Sequence, residues 1–118
     1  MRVGLIPANP FEPIRFLDIE EGLKPMQELV GGYIEAVRLP DIEMYVDEEG
    51  LLKGLPLNIR ATLLYRQAVS EEFRDQVGCV GDAVAFGGVT PGGKTKGLSK
   101  KQEELLINLQ LIIDAATN

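Results

Sequence analysis

The sequence predicts an α+β fold: a small, mainly antiparallel sheet with two short helices and a long, strongly apolar C-terminal helix. Three observations carry that prediction. In IEMYVD (42–47), Ile42, Met44 and Val46 alternate with Glu43 and Tyr45, the two-residue period of a half-buried strand. YIEAVRL (33–39) precedes it across Pro40-Asp41, so the two segments read as a hairpin. Residues 100–116 are free of proline and glycine and rich in leucine and isoleucine, as a long helix requires.

Taken in order, RVGLIP (2–7) and IRFLDI (14–19) are the first two strands, separated by a proline-marked loop. LKPMQELVG follows as a short helix. Pro25 is tolerated only in a first turn, so the helix starts near Leu23, and Gly31-Gly32 ends it. After the 33–47 hairpin, Asp47-Glu48-Glu49-Gly50 has turn chemistry. Asn58 is a good N-cap for a helix to about Ala68, with Ile59, Leu63 and Leu64 as its apolar face. SEEFRDQ (70–76) reads as a polar connection with one possible helical turn. VGCVGDAVAF (77–86) is a strand interrupted at Gly81-Asp82 by a bulge or turn. A glycine-rich loop then leads to the last helix.

Composition narrows the chemistry. At 118 residues, with 45% hydrophobic and 25% charged side chains, the chain suits one globular domain over residues 1–118. No run of about 20 apolar residues is available to span a bilayer, and Pro7, Pro10 and Pro13 break up the start where a secretion signal needs a continuous apolar core. A cytoplasmic protein without a membrane partner is expected. Cys79 is the single cysteine and lies in an apolar stretch, which suits a buried small hydrophobe. There is no histidine, so triads, histidine metal sites and imidazole acid/base pairs are excluded, and no metal or cofactor is expected.

Charge is unevenly spread. Residues 1–50 hold 11 acidic and 4 basic groups, net −7, whereas residues 51–118 hold 7 and 8, net +1. An overall charge of −6 argues against nucleic-acid binding, which needs a basic footprint. The acidic group Asp41, Glu43, Asp47, Glu48 and Glu49 lacks calcium-loop spacing and reads as a solvated face. Glu71, Glu72 and Asp75 read the same way, and Tyr33, Tyr45 and Tyr65 read as half-buried packing residues.

The basic groups carry the sharper signal, because four of six lysines fall within residues 94–101. There GVTPGGKT (88–95) matches G-x-x-x-x-G-K-[ST], the phosphate-cradling loop of nucleotide hydrolases. Such a loop needs a helix to start at its Lys-Thr end, so that free N–H groups meet the phosphates. Ser99-Lys100-Lys101-Gln102 is instead a capping box, which puts the helix start just after Ser99, beyond Lys94 and Thr95. Too little chain follows for further βαβ units, which makes a hydrolase the least favoured reading. The first reading is an exposed loop whose glycines permit turns and whose lysines keep it soluble; the second is an anion-binding lip, with Lys94, Thr95 and Lys96 as contacts and Arg60 or Arg66 as a planar donor to the same ligand.

The last helix is apolar on most sides, which requires cover on most sides. A stripe of Leu105, Leu109, Ile112 and Ala116 is expected to bind a second copy of the chain in a homodimer or larger oligomer; the alternative is a central helix wrapped by its own domain.

Val30-Gly31-Gly32-Tyr33-Ile34-Glu35, the Glu49-Gly50 turn, Gly54-Leu55-Pro56-Leu57-Asn58 with Ala61-Thr62, and Gly81-Asp82 recur in the order of a known family. Over about residues 23–105 the chain resembles the domain of unknown function 3846. The resemblance implies a setting in phages, mobile elements and their bacterial hosts, and supplies no activity. It also implies a polar, glycine-containing loop before the last helix, matching Gly97-Leu98-Ser99 and not requiring Gly-Lys-Thr. The function expected on these grounds is non-enzymatic: binding and sequestering a small anionic nucleotide, such as an immune signal, in the host cytoplasm. The alternative is an acidic inhibitor that binds a host protein, using the first half of the chain to mimic nucleic-acid charge.

Overall fold

A computed structural model describes residues 1–68 and 78–117. Five antiparallel-paired strands form one sheet: β1 (Arg2–Ile6), β2 (Arg15–Asp18), β3 (Ile34–Arg38), β4 (Glu43–Asp47) and β5 (Ala83–Phe86), in the order β2-β1-β5-β4-β3. The central strand β5, AVAF, is buried along its whole length, so an uninterrupted apolar run is what its place requires. Helix α1 (Leu23–Val30) covers one face; α2 (Ile59–Ala68) and α3 (Lys100–Thr117) cover the other. The fold is α+β and mainly antiparallel, and no helix among the described residues is long and apolar enough to cross a membrane.

Strand alternation divides the core in two. Val3, Val84 and Phe86 point to the α1 side, where they pack with Met26 and Val30. Ile6, Met44, Val46, Ala83 and Ala85 point to the other, where they meet Ala61, Leu64, Leu106 and Leu109. The hairpin across Pro40-Asp41 forms as expected, and its register sets Val37 opposite Met44 and Ala36 opposite Tyr45. Helix α1 ends where Gly31, at φ 92°, takes the left-handed C-cap position.

Asn58 does more than cap α2. Its Oδ1 accepts the Ala61 N–H (3.0 Å), and its Nδ2 donates to the carbonyls of Ile6 (2.8 Å) and Gly81 (2.9 Å). One fully buried amide thereby joins the end of β1, the turn before β5 and the start of a helix. The turn at Gly81-Asp82 is present, with Gly81 at φ 75° and Leu57 bridged to Val80 before it. The Cys79 thiol is 3% exposed, and burial pushes its pKa up.

Four expectations need correction. Tyr33 is not half-buried but 67% exposed. Ile59 does not belong to the buried face of α2 and is 47% exposed, whereas Arg60, Ala61, Thr62 and Leu64 are buried. Asp47 is not on a solvated acidic face: its Oδ1 accepts the Glu49 N–H (2.8 Å) and its Oδ2 pairs with Lys53 at 2.7 Å beneath the turn. That lysine bond, with the backbone N–H, holds the Asp47 carboxyl below the usual carboxylate range despite its burial. The glycine-rich segment before the last helix also contains a second, two-stranded sheet. The polar connection 70–76 and its acidic residues Glu71, Glu72 and Asp75 lie outside the described residues.

Candidate functional site

The stretch carrying GVTPGGKT folds as a hairpin. Strands β6 (Gly88–Val89) and β7 (Thr95–Lys96) pair with Gly88 opposite Lys96 and Val89 opposite Thr95. At its tip the Gly93 N–H donates to the Thr90 carbonyl (2.9 Å) and the Thr90 N–H to the Lys94 carbonyl (2.8 Å). Pro91 is preset for the first turn position, and Gly93, at φ 84°, takes the left-handed position that closes a three-residue hairpin loop. At its base Gly87 is pressed against the chain returning at Gly97, where a Cβ on Gly87 would lie 2.1 Å from the Gly97 carbonyl oxygen. Gly87 and Gly93 therefore have structural work in this hairpin.

That geometry separates the string from a phosphate loop. Lys94 and Thr95 enter a strand, and α3 begins at Lys100. The capping box forms as expected: Ser99 N–H donates to Gln102 Oε1 (2.8 Å) and Gln102 N–H to Ser99 Oγ (3.1 Å). The N–H groups of Gly93 and Lys94 are committed to the Thr90 carbonyl and hydroxyl within the hairpin. Side chains, not a backbone nest, are what this hairpin offers an anion.

Two of those side chains meet a cavity. Lys94 and Thr95, with Gly93, border an open cavity of about 450 Å³ whose other walls are Glu21, Gly22 and Leu23 at the start of α1 and Tyr45 of β4. Helix α1 starts with no side-chain cap, unlike α2 and α3, and it has no acidic residue in its first turn. Its first N–H groups thus lack the acceptor those helices supply, and the helix dipole favours negative charge there. Tyr45 packs its ring on Phe86, centroids 4.4 Å apart. Burial, aided by the charge of Glu43, raises the Tyr45 pKa, so its hydroxyl stays a neutral donor at neutral pH. Glu21 contributes one opposing carboxylate.

The remaining expected contacts fall elsewhere. Lys96 does not border the cavity. A Cβ at Gly88 would lie 3.6 Å from Lys96 Cε and 3.8 Å from Glu43 Oε1, so Lys96 and the half-buried Glu43 flank the hairpin base. Arg60 is 2% exposed and lies on the opposite side of the sheet from Tyr45. Its Nη2 donates to the carbonyls of Pro7 (2.8 Å) and Asn9 (3.1 Å), and its Nη1 to Gln110 Oε1 (3.0 Å). Burial lowers its pKa, opposed by the charges of Asp114 and Glu12. Arg60 clamps the β1–β2 loop onto α2 and α3 and is not a donor to a ligand at Lys94. Arg66 is exposed in the last turn of α2, on that same far side.

The stripe expected to pair copies of the chain is also divided. Leu109 is 3% exposed inside the chain's own core and Leu105 is half-buried, while Ile112 (58%) and Ala116 are exposed. The four do not form one free face.

A second open cavity, of about 420 Å³, lies at the other end of α1 between Lys24, Glu28, Tyr33, Glu49 and Lys53. There Lys53 is committed to Asp47, and Glu28 and Glu49 offset Lys24, so it offers an anion no net attraction. The Lys94 cavity is the better candidate. Sequence reasoning missed its Tyr45 and its Gly22-Leu23 wall. The available signal was Gly22, a residue without a capping side chain, before the helix start near Leu23.

No curated protein and no solved structure matches the chain. A family model described as "Domain of unknown function (DUF3846)" matches residues 1–110, which extends the resemblance through β1, β2 and most of α3. The chain belongs to the domain of unknown function 3846 family.

Proposed function

We propose that the protein is a non-enzymatic binding protein that sequesters a small anionic nucleotide in the cavity beside the β6–β7 hairpin. The observation that supports this most is the convergence of Lys94 and Thr95 on the uncapped start of α1 and the Tyr45 side chain around about 450 Å³. A cavity of that size falls within the range of small-ligand sites, roughly 300–1,000 Å³. Among the described residues Lys94 Nζ has no hydrogen-bond or ion-pair partner, so its charge is available. Sequestration fits better than turnover, because the chain has no histidine and its one cysteine is buried. The setting implied by the family makes a nucleotide immune signal the first ligand class to try.

Incubating the purified protein with a panel of cyclic and linear nucleotides is expected to raise its melting temperature for at least one, with intact ligand recovered after denaturation. Hydrolysed product would replace sequestration by catalysis, and no shift across the panel would remove the ligand reading. The alternative, an acidic inhibitor of a basic host protein, retains exposed Asp41, Glu48 and Glu49 but loses Asp47 to the interior. It predicts a salt-sensitive complex that Glu48→Lys with Glu49→Lys abolishes.

A further inference from the structure

The β1–β2 loop holds a feature unrelated to the ligand cavity. Phe11 is 93% exposed, an unusual place for a phenyl ring on a loop that is firmly held. The Phe11 N–H donates to Asn9 Oδ1 (3.0 Å) and the Glu12 N–H to the Asn9 carbonyl (3.1 Å), which closes a turn around Pro10-Phe11. Below that turn Arg60 holds the Pro7 and Asn9 carbonyls, and Asp82 Oδ1 accepts the Ala8 N–H (2.9 Å). A buried cation and a buried loop base thus brace a ring that touches almost nothing. Such a ring is preorganised for a partner, because binding immobilises little further.

Two residues along the same loop begins an apolar slot of about 160 Å³. Pro13, Ile14 and Phe16 form one wall, and Leu106, Ile107 and Leu111 of α3 form the other, with Gln110, whose amide is bonded to Arg60 and Asp114, as the one polar lining residue. Ile107 and Leu111 are themselves 46% and 61% exposed at its rim. An enclosed apolar cavity of about 150 Å³ is known to take up benzene, so this open, mainly apolar slot has room for a phenyl ring. The chain's own Phe11 does not fill it, since the ring is held out in solvent by its turn.

We propose that the slot is occupied by Phe11 of a second copy of this chain, each copy inserting its ring into the other. The short spacing from Phe11 to Pro13 makes this self-complementary: a two-fold axis beside the loop brings both rings to both slots at once. A phenyl ring buries about 150–250 Å², so two rings in two slots place this contact in the small, transient class of interface, below about 1,200 Å² in total. The expected assembly is a dissociable dimer populated at micromolar to millimolar concentration. It replaces the expected pairing through Leu105, Leu109, Ile112 and Ala116, and it stands independently of the ligand reading.

Sedimentation velocity between about 5 and 500 µM is expected to show a monomer–dimer equilibrium in this range. Phe11→Ser and Leu111→Arg are each expected to weaken association at least about 30-fold, as loss of a central aromatic anchor does. Both positions are exposed, and unchanged circular dichroism will verify that the variants fold. In an equal mixture of carbon-13-labelled and unlabelled protein, filtered NMR spectra are expected to show Phe11 ring contacts to Ile107 and Leu111 methyls across the dimer. A monomer at every concentration overturns the proposal. So does a dimer that both variants leave intact, or one that lacks those intermolecular contacts.

Discussion

Arg60 and Lys94 carry the same charge and were expected at one site, yet the fold gives them opposite work. Arg60 is 2% exposed and gives its guanidinium to two backbone carbonyls and a glutamine. Lys94 sits at a hairpin tip whose backbone groups bond one another, leaving its side chain to the cavity. A cation whose two terminal nitrogens both meet the chain's own acceptors becomes part of the scaffold. A cation whose neighbours are already satisfied remains available to the proposed ligand. The same division separates Asn58, bonded at both ends of its amide, from Thr95, which borders open space.

The strongest way to test the scaffold half is Asn58→Ala. It removes a helix cap and two buried hydrogen bonds to the carbonyls of Ile6 and Gly81, so unfolding in urea is expected to show a loss of about 3–4 kcal/mol. A loss below about 1 kcal/mol would mean that the amide is not the junction described.

Within the hairpin, base and tip should differ. Gly87→Ala drives a Cβ to 2.1 Å from a backbone oxygen, which only backbone movement relieves, and about 2 kcal/mol or more of stability should be lost. Gly92→Ala meets nothing closer than Thr90 Oγ1 at 3.9 Å, so its thermal unfolding should stay within about 0.5 kcal/mol of the parent. Equal effects would show that the hairpin does not cross the chain at Gly87.

A smaller effect tests the Asp47–Lys53 pair, which lies away from both sites. The Asp47 pKa is lowered, so its stabilisation is present above the unfolded carboxyl value and fades as pH falls through the folded one. The Lys53 pKa is raised by the bond to Asp47, so its stabilisation is complete below the unfolded lysine value and is lost as pH rises through the folded one. Melting temperature against pH should therefore show a plateau between the two ranges, and Asp47→Asn should flatten the acid-side decline. A decline of unchanged steepness in that variant would contradict the pairing.

How much of this was legible follows from how local each cause is. The 33–47 hairpin, the Asn58 cap and the Ser99 capping box depend on residues a few positions apart, and each forms where the sequence indicates. The β6–β7 hairpin escaped notice because strands of two residues have no period to detect, although Pro91-Gly92-Gly93 was a turn signal. Arg60 was misassigned because its acceptors come from residues 7, 9 and 110, far away in sequence. Half of the α3 stripe was misassigned for a related reason. A helix apolar on most sides does not reveal which side its own sheet takes, and Leu106 and Leu109 face inward while Ile107 and Leu111 border the slot. For the candidate site, Lys94 and Thr95 were legible and the wall supplied by α1 and Tyr45 was not, since only the sheet order brings them together.

The smallest effect on stability carries the largest consequence for function. Lys94→Ala touches no packed atom and should leave unfolding within about 0.5 kcal/mol of the parent. The most direct test of the division between scaffold cation and ligand cation is calorimetric titration of the nucleotide that gives the largest thermal shift, into the parent protein, Lys94→Ala and Arg66→Ala. The account predicts at least about a tenfold loss of affinity in Lys94→Ala, as for removal of one charge-assisted contact, and none in Arg66→Ala on the far side of the sheet. Equal affinity in the parent and Lys94→Ala, or a comparable loss in Arg66→Ala, would contradict it.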